Sequence, residues 1–220
     1  MALTTSHLID VSRKYLGSFM ELTSGTKYWP GGILPSEMLC FCSLAWDQQQ
    51  SEVVESGRKH GFSTEILMKC GFRTVSFEID PIQETSNRLA RLAVENAFDL
   101  NMRNEDFTRF AHEVAYVHQC PMLIDGPKGR KAVNITKEAI ESLPFAAIHD
   151  MSEKAEGGNP NVGRTALNES GLEFVILGDE FAEEFGNLDS GAWKSDYSSR
   201  AEMTRYGFHM AIIKGNKWND

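Results

Sequence analysis

Apolar residues return every three or four positions between residues 4 and 23, where Leu8, Val11, Tyr15, Leu16 and Phe19 share one side of a helix. TSGTKYWPGG (23–32) breaks the pattern and reads as a loop. A second helix is expected in LPSEMLCFCSLAW (34–46), with Pro35 near its start and Glu37 in its first turn. Strands and helices then alternate. EVVES (52–56) is a strand, and STEILMKCG (63–71) a helix ended by Gly71. TVSFEID (74–80) is followed by a helix over 82–98, FDLNMRN (98–104) by a helix over 107–119, and the apolar strand CPMLIDG (120–126) by a helix over 131–142. FAAIHD (145–150) is a fifth strand. Such alternation predicts βαβ units and a parallel sheet covered on both faces. The rhythm then changes. EKAEGGNPNVGR (153–164) reads as loop, and LEFVILG (172–178) and YGFHMAIIKG (206–215) as two strands without a sheet-covering helix between them. They are expected to form an antiparallel pair at one sheet edge. The expected fold class is α/β: seven strands, mostly parallel, with helices on both faces and an antiparallel last strand.

Composition narrows the function classes. With 220 residues, 41% of them hydrophobic, the chain fits one domain with a sizeable core. A formal charge of −9 and the lack of any Lys/Arg run give no general attraction for nucleic acid or anionic membranes. Cys40 and Cys42 are spaced too tightly for the usual zinc or redox motifs, so the four cysteines are read as reduced and mostly buried. No stretch approaches the ~20 apolar residues of a membrane span. MALTTSHLIDVSRKYLG lacks the apolar centre of a signal peptide, so a soluble, cytoplasmic protein is expected.

The segment SEVVESGRKHGFSTEILM (51–68) carries the first chemical signal. The turn after the first strand of an open parallel sheet lies at the ligand crevice. Gly57 and Gly61 let the backbone turn sharply and approach a ligand, while Ser63 and Thr64 can cap the next helix or bond the ligand. The spacing is neither G-x-G-x-x-G nor a P-loop, and both of those serve phosphates. Glu55, just before the glycines, would repel phosphate and suits a cationic group such as an α-ammonium. A plain strand–turn–helix with no ligand also fits this loop. The second signal is SFEID (76–80): acids at the end of the second strand can grip ribose hydroxyls, with Glu78, 21 positions after Gly57, preferred over Asp80.

With VVESGRKHGFST (53–64), VSFEID (75–80), LIDGPKG (123–129) and AIHD (147–150) in this order, the chain resembles the class I S-adenosylmethionine-dependent methyltransferases. GGILPSEMLCFCSLA (31–45) looks like the lead-in helix of small O-methyltransferases, and the likeness spans roughly residues 31–215. Within the class it is most similar to the small catechol-type, metal-assisted O-methyltransferases. The resemblance implies a Rossmann-like fold with three parts: an N-terminal helical cap (1–34), a cofactor-binding βαβ core (35–150), and a C-terminal strand pair with a substrate lid (151–220). It implies that Glu55, Gly57 and Gly61 form the loop against the methionine part of S-adenosylmethionine. Ser63 would bind the cofactor's carboxylate and Glu78 its ribose. Asn104, Glu105 and Asp106 sit where adenine is contacted, with Asp106 chosen. Asp125 and Lys128 match an Asp-x-x-Lys that supplies a metal-binding acid and a general base. Relatives carry a second metal ligand as an Asp-Asn or Asp-Asp pair, whereas this chain has His149-Asp150.

The implied metal ligands, for an ion such as Mg²⁺, are therefore Asp125 and Asp150; without a metal, His149 could act as the base. Histidine needs no pKa shift for that work and lysine needs a large one, which ranks His149 ahead of Lys128. His60 lies inside the loop and could either border the cofactor or be structural, His112 and His118 read as structural, and Trp29, Trp193 and Tyr197 are lid or packing candidates. The expected reaction is methyl transfer to a small-molecule hydroxyl, on a sugar or a phenol. The alternatives are a non-catalytic S-adenosylmethionine-binding module and a nucleotide-sugar or dinucleotide enzyme on a similar sheet. No nucleic-acid or membrane partner is expected, and the N-terminal helix either caps the pocket or pairs two copies in a homodimer.

Overall fold

The computed structural model of the chain describes residues 2–29, 32–153, 159–190 and 209–219. Seven strands form one sheet: β1 (Glu52–Ser56), β2 (Arg73–Phe77), β3 (Leu100–Arg103), β4 (Met122–Ile124), β5 (Phe145–Ile148), β6 (Phe174–Ile176) and β7 (Ala211–Lys214). The order across the sheet is β3-β2-β1-β4-β5-β7-β6. All pairs among β1 to β5 are parallel, and β7 runs antiparallel to both β5 and β6. This is the architecture expected from the strand–helix alternation.

The helices are α1 (Thr5–Thr23), α2 (Pro35–Asp47), α3 (Phe62–Lys69), α4 (Gln83–Asn96), α5 (Ala111–His118), α6 (Arg130–Ala139), α7 (Val162–Glu169) and α8 (Asp179–Phe185). Side chains alternate across the sheet because successive residues of a strand point to opposite faces. Val53, Leu123, Phe145, Ala147 and Ile212 face one side and join a core with α1, α2, α3 and α8. Val54, Val75, Met122, Ile124, Ala146, Ile148, Ala211 and Ile213 face the other and join α5, α6 and α7. Each fully buried Phe, Leu or Ile in these layers contributes about 1.5–3 kcal/mol by leaving water. All four cysteines are buried and unpaired. No helix among the described residues is long and apolar enough to cross a membrane.

Three local differences from the sequence reading have physical causes. Residues 153–164 are not loop throughout, because Asn161 caps α7 by accepting from the Gly163 and Arg164 N–H groups at 2.8 and 3.2 Å. A helix does lie between the last two strands. In DEFAEEF the apolar positions Phe181, Ala182 and Phe185 are buried, while Asp179 and Glu180 suit the positive N-terminal end of α8. The segment over 107–119 divides into a 3-10 turn (Phe107–Arg109) and α5. Trp193 and Tyr197 lie outside the described residues.

The start of α2 ties the layers together. Its first turn is held by two fully buried carboxylates. Asp189 accepts from the Ser36 N–H at 2.9 Å. Glu37 accepts from Leu34 N–H at 3.0 Å through one oxygen, and from His209 and Met210 N–H at 3.2 and 3.0 Å through the other. Burial pushes Asp189 up to about 7; the hydrogen bonds from Ser36 oppose that shift, and the nearby Glu37 carboxylate adds to it. Asp189 therefore binds a proton more tightly folded than unfolded. Its contribution is fully present below its unfolded pKa, near 3.8, and is lost as pH rises through about 7. Replacing Asp189 with Asn removes this dependence. Denaturant unfolding should show the variant gaining on the wild type by on the order of 3 kcal/mol between pH 4 and pH 8. A stability difference that stays flat across that range would contradict the buried-acid account.

Candidate active site

The parallel strands end on one edge, and Gly57 stands where three of them meet. Its N–H donates to Phe77 O at the end of β2 (3.0 Å). Next to it, Ser56 O accepts from both Asp125 N–H and Gly126 N–H at the end of β4, at 2.8 and 3.0 Å. Gly57 has a φ of +98°, and a Cβ there would lie 2.7 Å from Gly126 N and 2.9 Å from Asp125 C. Only glycine allows this contact between the two strand ends.

The loop is braced from beneath. Glu55 is fully buried, and its carboxylate accepts from the hydroxyls of Ser63, Thr64 (2.5 Å) and Ser76 (2.6 Å). Burial raises its pKa, against the pull of those hydroxyls and of Arg58. Arg58 is 2% exposed and reaches from the loop to Ser76 O at the end of β2 and to Asn104 Oδ1 beyond β3, each at 2.9 Å. Glu55 thus faces the interior rather than a ligand ammonium, and Ser63 spends its hydroxyl on Glu55. Both residues brace the loop that the sequence reading sets against the cofactor, and Ser63 also lines the smaller cleft. Asn104, also a candidate, is turned toward Arg58.

Two clefts flank Gly57. The larger encloses about 480 Å³ of open space and is lined by Gly57, Glu78, Ile79, Asp106, Thr108 and Lys131, among others. Glu78 accepts from the backbone N–H groups of Lys59 (2.7 Å) and Asp80 (3.1 Å), which fix its carboxylate at the cleft wall. Asp80 is exposed, and its N–H serves to orient Glu78. Asp106 lines the same cleft; the Thr108 hydroxyl at 2.8 Å is the main cause of its lowered pKa. The smaller cleft runs along the loop from Gly57 to Ser63 and reaches Asp125. Trp29 stacks on His60 at its rim, with centroids 5.4 Å apart and planes at 14°. His118 pairs with Glu52 (2.8 Å), at the opposite end of β1 from the clefts.

The ends of β4 and β5 carry a dense charge cluster. His149 Nδ1 lies 2.9 Å from Asp125 Oδ1 and 3.3 Å from Asp150 Oδ1, while Nε2 lies 3.3 Å from Glu37 Oε2. Lys128 Nζ pairs with Asp125, and with Asp150 Oδ2 at 2.6 Å. Burial opposes every one of these charges, but the opposite charges win. Glu37 and Asp125 push His149 up to about 10. Asp125 and Asp150 raise Lys128, while His149 and Lys128 hold both aspartates below the usual carboxylate range. His149 and Lys128 therefore carry protons at neutral pH. In this arrangement neither is poised as the base that the sequence reading suggests.

Asp125, His149 and Asp150 also offer ligand atoms within 4.8 Å of one another, as a metal site would require. The Lys128 ammonium stands among those atoms, so the donor set does not fit a divalent ion in this arrangement. Glu37 and Arg58 went unassigned in the sequence reading. The signal for Glu37 is a lone acid inside the apolar run SEMLCFCSLA.

No protein-family model matches the chain, and no curated protein matches it. Solved structures do. Cofactor-bound Rv0187 from MTB superposes with a TM-score of 0.59 at 14% identity, covering 94% of this chain and 91% of that one. A "putative O-methyltransferase" from Klebsiella pneumoniae gives 0.56 at 10% identity, covering 94% and 90%. A "putative caffeoyl-CoA O-methyltransferase" from Staphylococcus aureus gives 0.53 at 11% identity, covering 96% and 98%. The chain has the Rossmann-like methyltransferase fold.

The contact at Gly57 is open to a direct check. Gly57→Ala forces a Cβ onto backbone atoms and strains a positive φ, so unfolding should show a loss of about 3 kcal/mol or more. Gly25→Ala is the control. Gly25 has a φ of +74° but nothing within 4 Å of a new Cβ, so only the left-handed strain of about 1–2 kcal/mol is expected. Equal losses in the two variants would mean that the close approach is not sterically required.

Proposed function

We propose that this protein binds S-adenosylmethionine across the two clefts at Gly57 and transfers its methyl group to a hydroxyl of a small molecule. The observation that carries this reading is the continuity of the site. The cleft with Glu78 on its wall meets, at Gly57, the cleft that ends on Asp125 and its charged neighbours. In this reading Glu78 takes the ribose hydroxyls and Asp106 lies on the adenine side. The methionine part follows the loop toward Gly61 and Ser63. The solved structures of similar fold support methyl transfer as the reaction class, and the charge of −9 favours a small acceptor over a nucleic acid.

The chemistry asks little of the protein beyond alignment. The acceptor oxygen attacks the methyl carbon, the carbon–sulfur bond breaks with its electron pair passing to sulfur, and the hydroxyl's proton passes by way of the exposed Asp150 carboxylate to solvent. Placing the oxygen in line with that bond supplies most of the catalysis. Asp125, Lys128 and His149 form the transfer centre in this account. His149 and Lys128 fix the carboxylates, and Asp150, 49% exposed at its side chain, is the carboxylate of the cluster most accessible to an acceptor hydroxyl. Lys128, 50% exposed, can donate to the same acceptor oxygen.

Calorimetric titration with S-adenosylmethionine and S-adenosylhomocysteine tests the cofactor. The wild type should bind both. Glu78→Ala, shown to be folded by circular dichroism, should bind at least about tenfold more weakly, since charge-assisted hydrogen bonds to ribose contribute roughly 1.5–3 kcal/mol. Folded wild type that binds neither compound would overturn the assignment. Binding without turnover on any hydroxyl acceptor would favour a non-catalytic binding module.

A further inference from the structure

We infer that the Lys128 ammonium occupies the place a divalent ion would take, so that the transfer site carries a built-in cation and works without metal. The three candidate ligand atoms, on Asp125, His149 and Asp150, surround one small volume. An ion bound by all three must sit inside it, about 2.0–2.2 Å from each donor. Lys128 Nζ already fills that volume. It bonds Asp125 Oδ1, lies 2.6 Å from Asp150 Oδ2 and is 3.4 Å from His149 Nδ1. An ammonium touching all three donors and an ion bonded to all three exclude each other.

The surroundings agree. Both ring nitrogens of His149 face carboxylate oxygens, Nδ1 toward Asp125 and Nε2 toward Glu37. Carboxylates are acceptors, so the ring serves here as a donor, whereas a metal needs a ring lone pair. Lys128 follows Asp125 by three positions, so the turn tethers the cation to its own counter-ion. A tethered ammonium can hold the acceptor oxygen and steady the negative charge it develops. With two of its three N–H donors on Asp125 and Asp150 it has one left for the substrate, so the site suits an acceptor presenting one hydroxyl rather than requiring an adjacent pair.

The purpose given to this cation rests on the proposed transfer reaction, but its position is measurable without turnover or cofactor. The experiment is a Mn²⁺ titration followed by electron paramagnetic resonance on the wild type, Lys128→Ala and the double variant Lys128→Ala/Asp150→Asn, with thermal melts to confirm folding. The wild type should leave Mn²⁺ free into the millimolar range. Lys128→Ala should gain one site and tighten Mn²⁺ binding at least about tenfold, and the added Asp150→Asn should abolish the gain. One Mn²⁺ bound to wild type at micromolar levels would overturn the inference, as would a folded Lys128→Ala that gains nothing. Loss of S-adenosylmethionine binding in the wild type would defeat the functional reading and leave these outcomes to be judged separately.

Discussion

The site depends on one close contact: the backbone of Gly57 lying against the backbone of Asp125 and Gly126. The contact exists because β1 and β4 are parallel neighbours that end together, with Ser56 O accepting from both N–H groups at the end of β4. A side chain at position 57 would push the two strand ends apart. That would separate the glycine loop from Asp125, and with it the larger cleft from the charged cluster. Everything read as function lies on one side or the other of this contact.

Buried charge then sets the shape around it. Glu55 and Arg58 brace the loop from beneath, each linking it to the end of β2, and Arg58 reaches on to Asn104. Glu37 plays a similar part on the other side, holding the start of α2, the strand end at His149 and the residues leading into β7. A fully buried carboxylate is costly unless its oxygens are all used. Glu37 uses one on Leu34 and His149 and the other on His209 and Met210. Losing it would strand both a helix N-terminus and a buried imidazole, so it positions the site without touching the crevice.

The sheet was legible because apolar strands such as MLI and FAAI are buried on both faces and stand out against the amphipathic helices between them. The glycine loop was legible because its backbone needs leave a residue signature. Short polar helices were not. The helices α7 and α8 have only two or three buried apolar residues each, too few to set a period. Nor were the braces: Arg58 in a loop resembles any surface arginine, and Glu37 any first-turn acid. Residue types located the charged cluster but could not give its protonation. Which ends of His149 face carboxylates is decided by three elements far apart in sequence, and the sequence could not show that His149 and Lys128 would both be held protonated.

The most direct test of the whole account is a crystal structure with S-adenosylhomocysteine bound. The account predicts ribose hydroxyls on Glu78 and adenine on the Asp106 side. It also predicts a homocysteine chain passing Gly57, its sulfur pointing at Asp125, with Lys128 still bridging Asp125 and Asp150. A ligand seated away from Gly57, or a sulfur turned from that cluster, would contradict it.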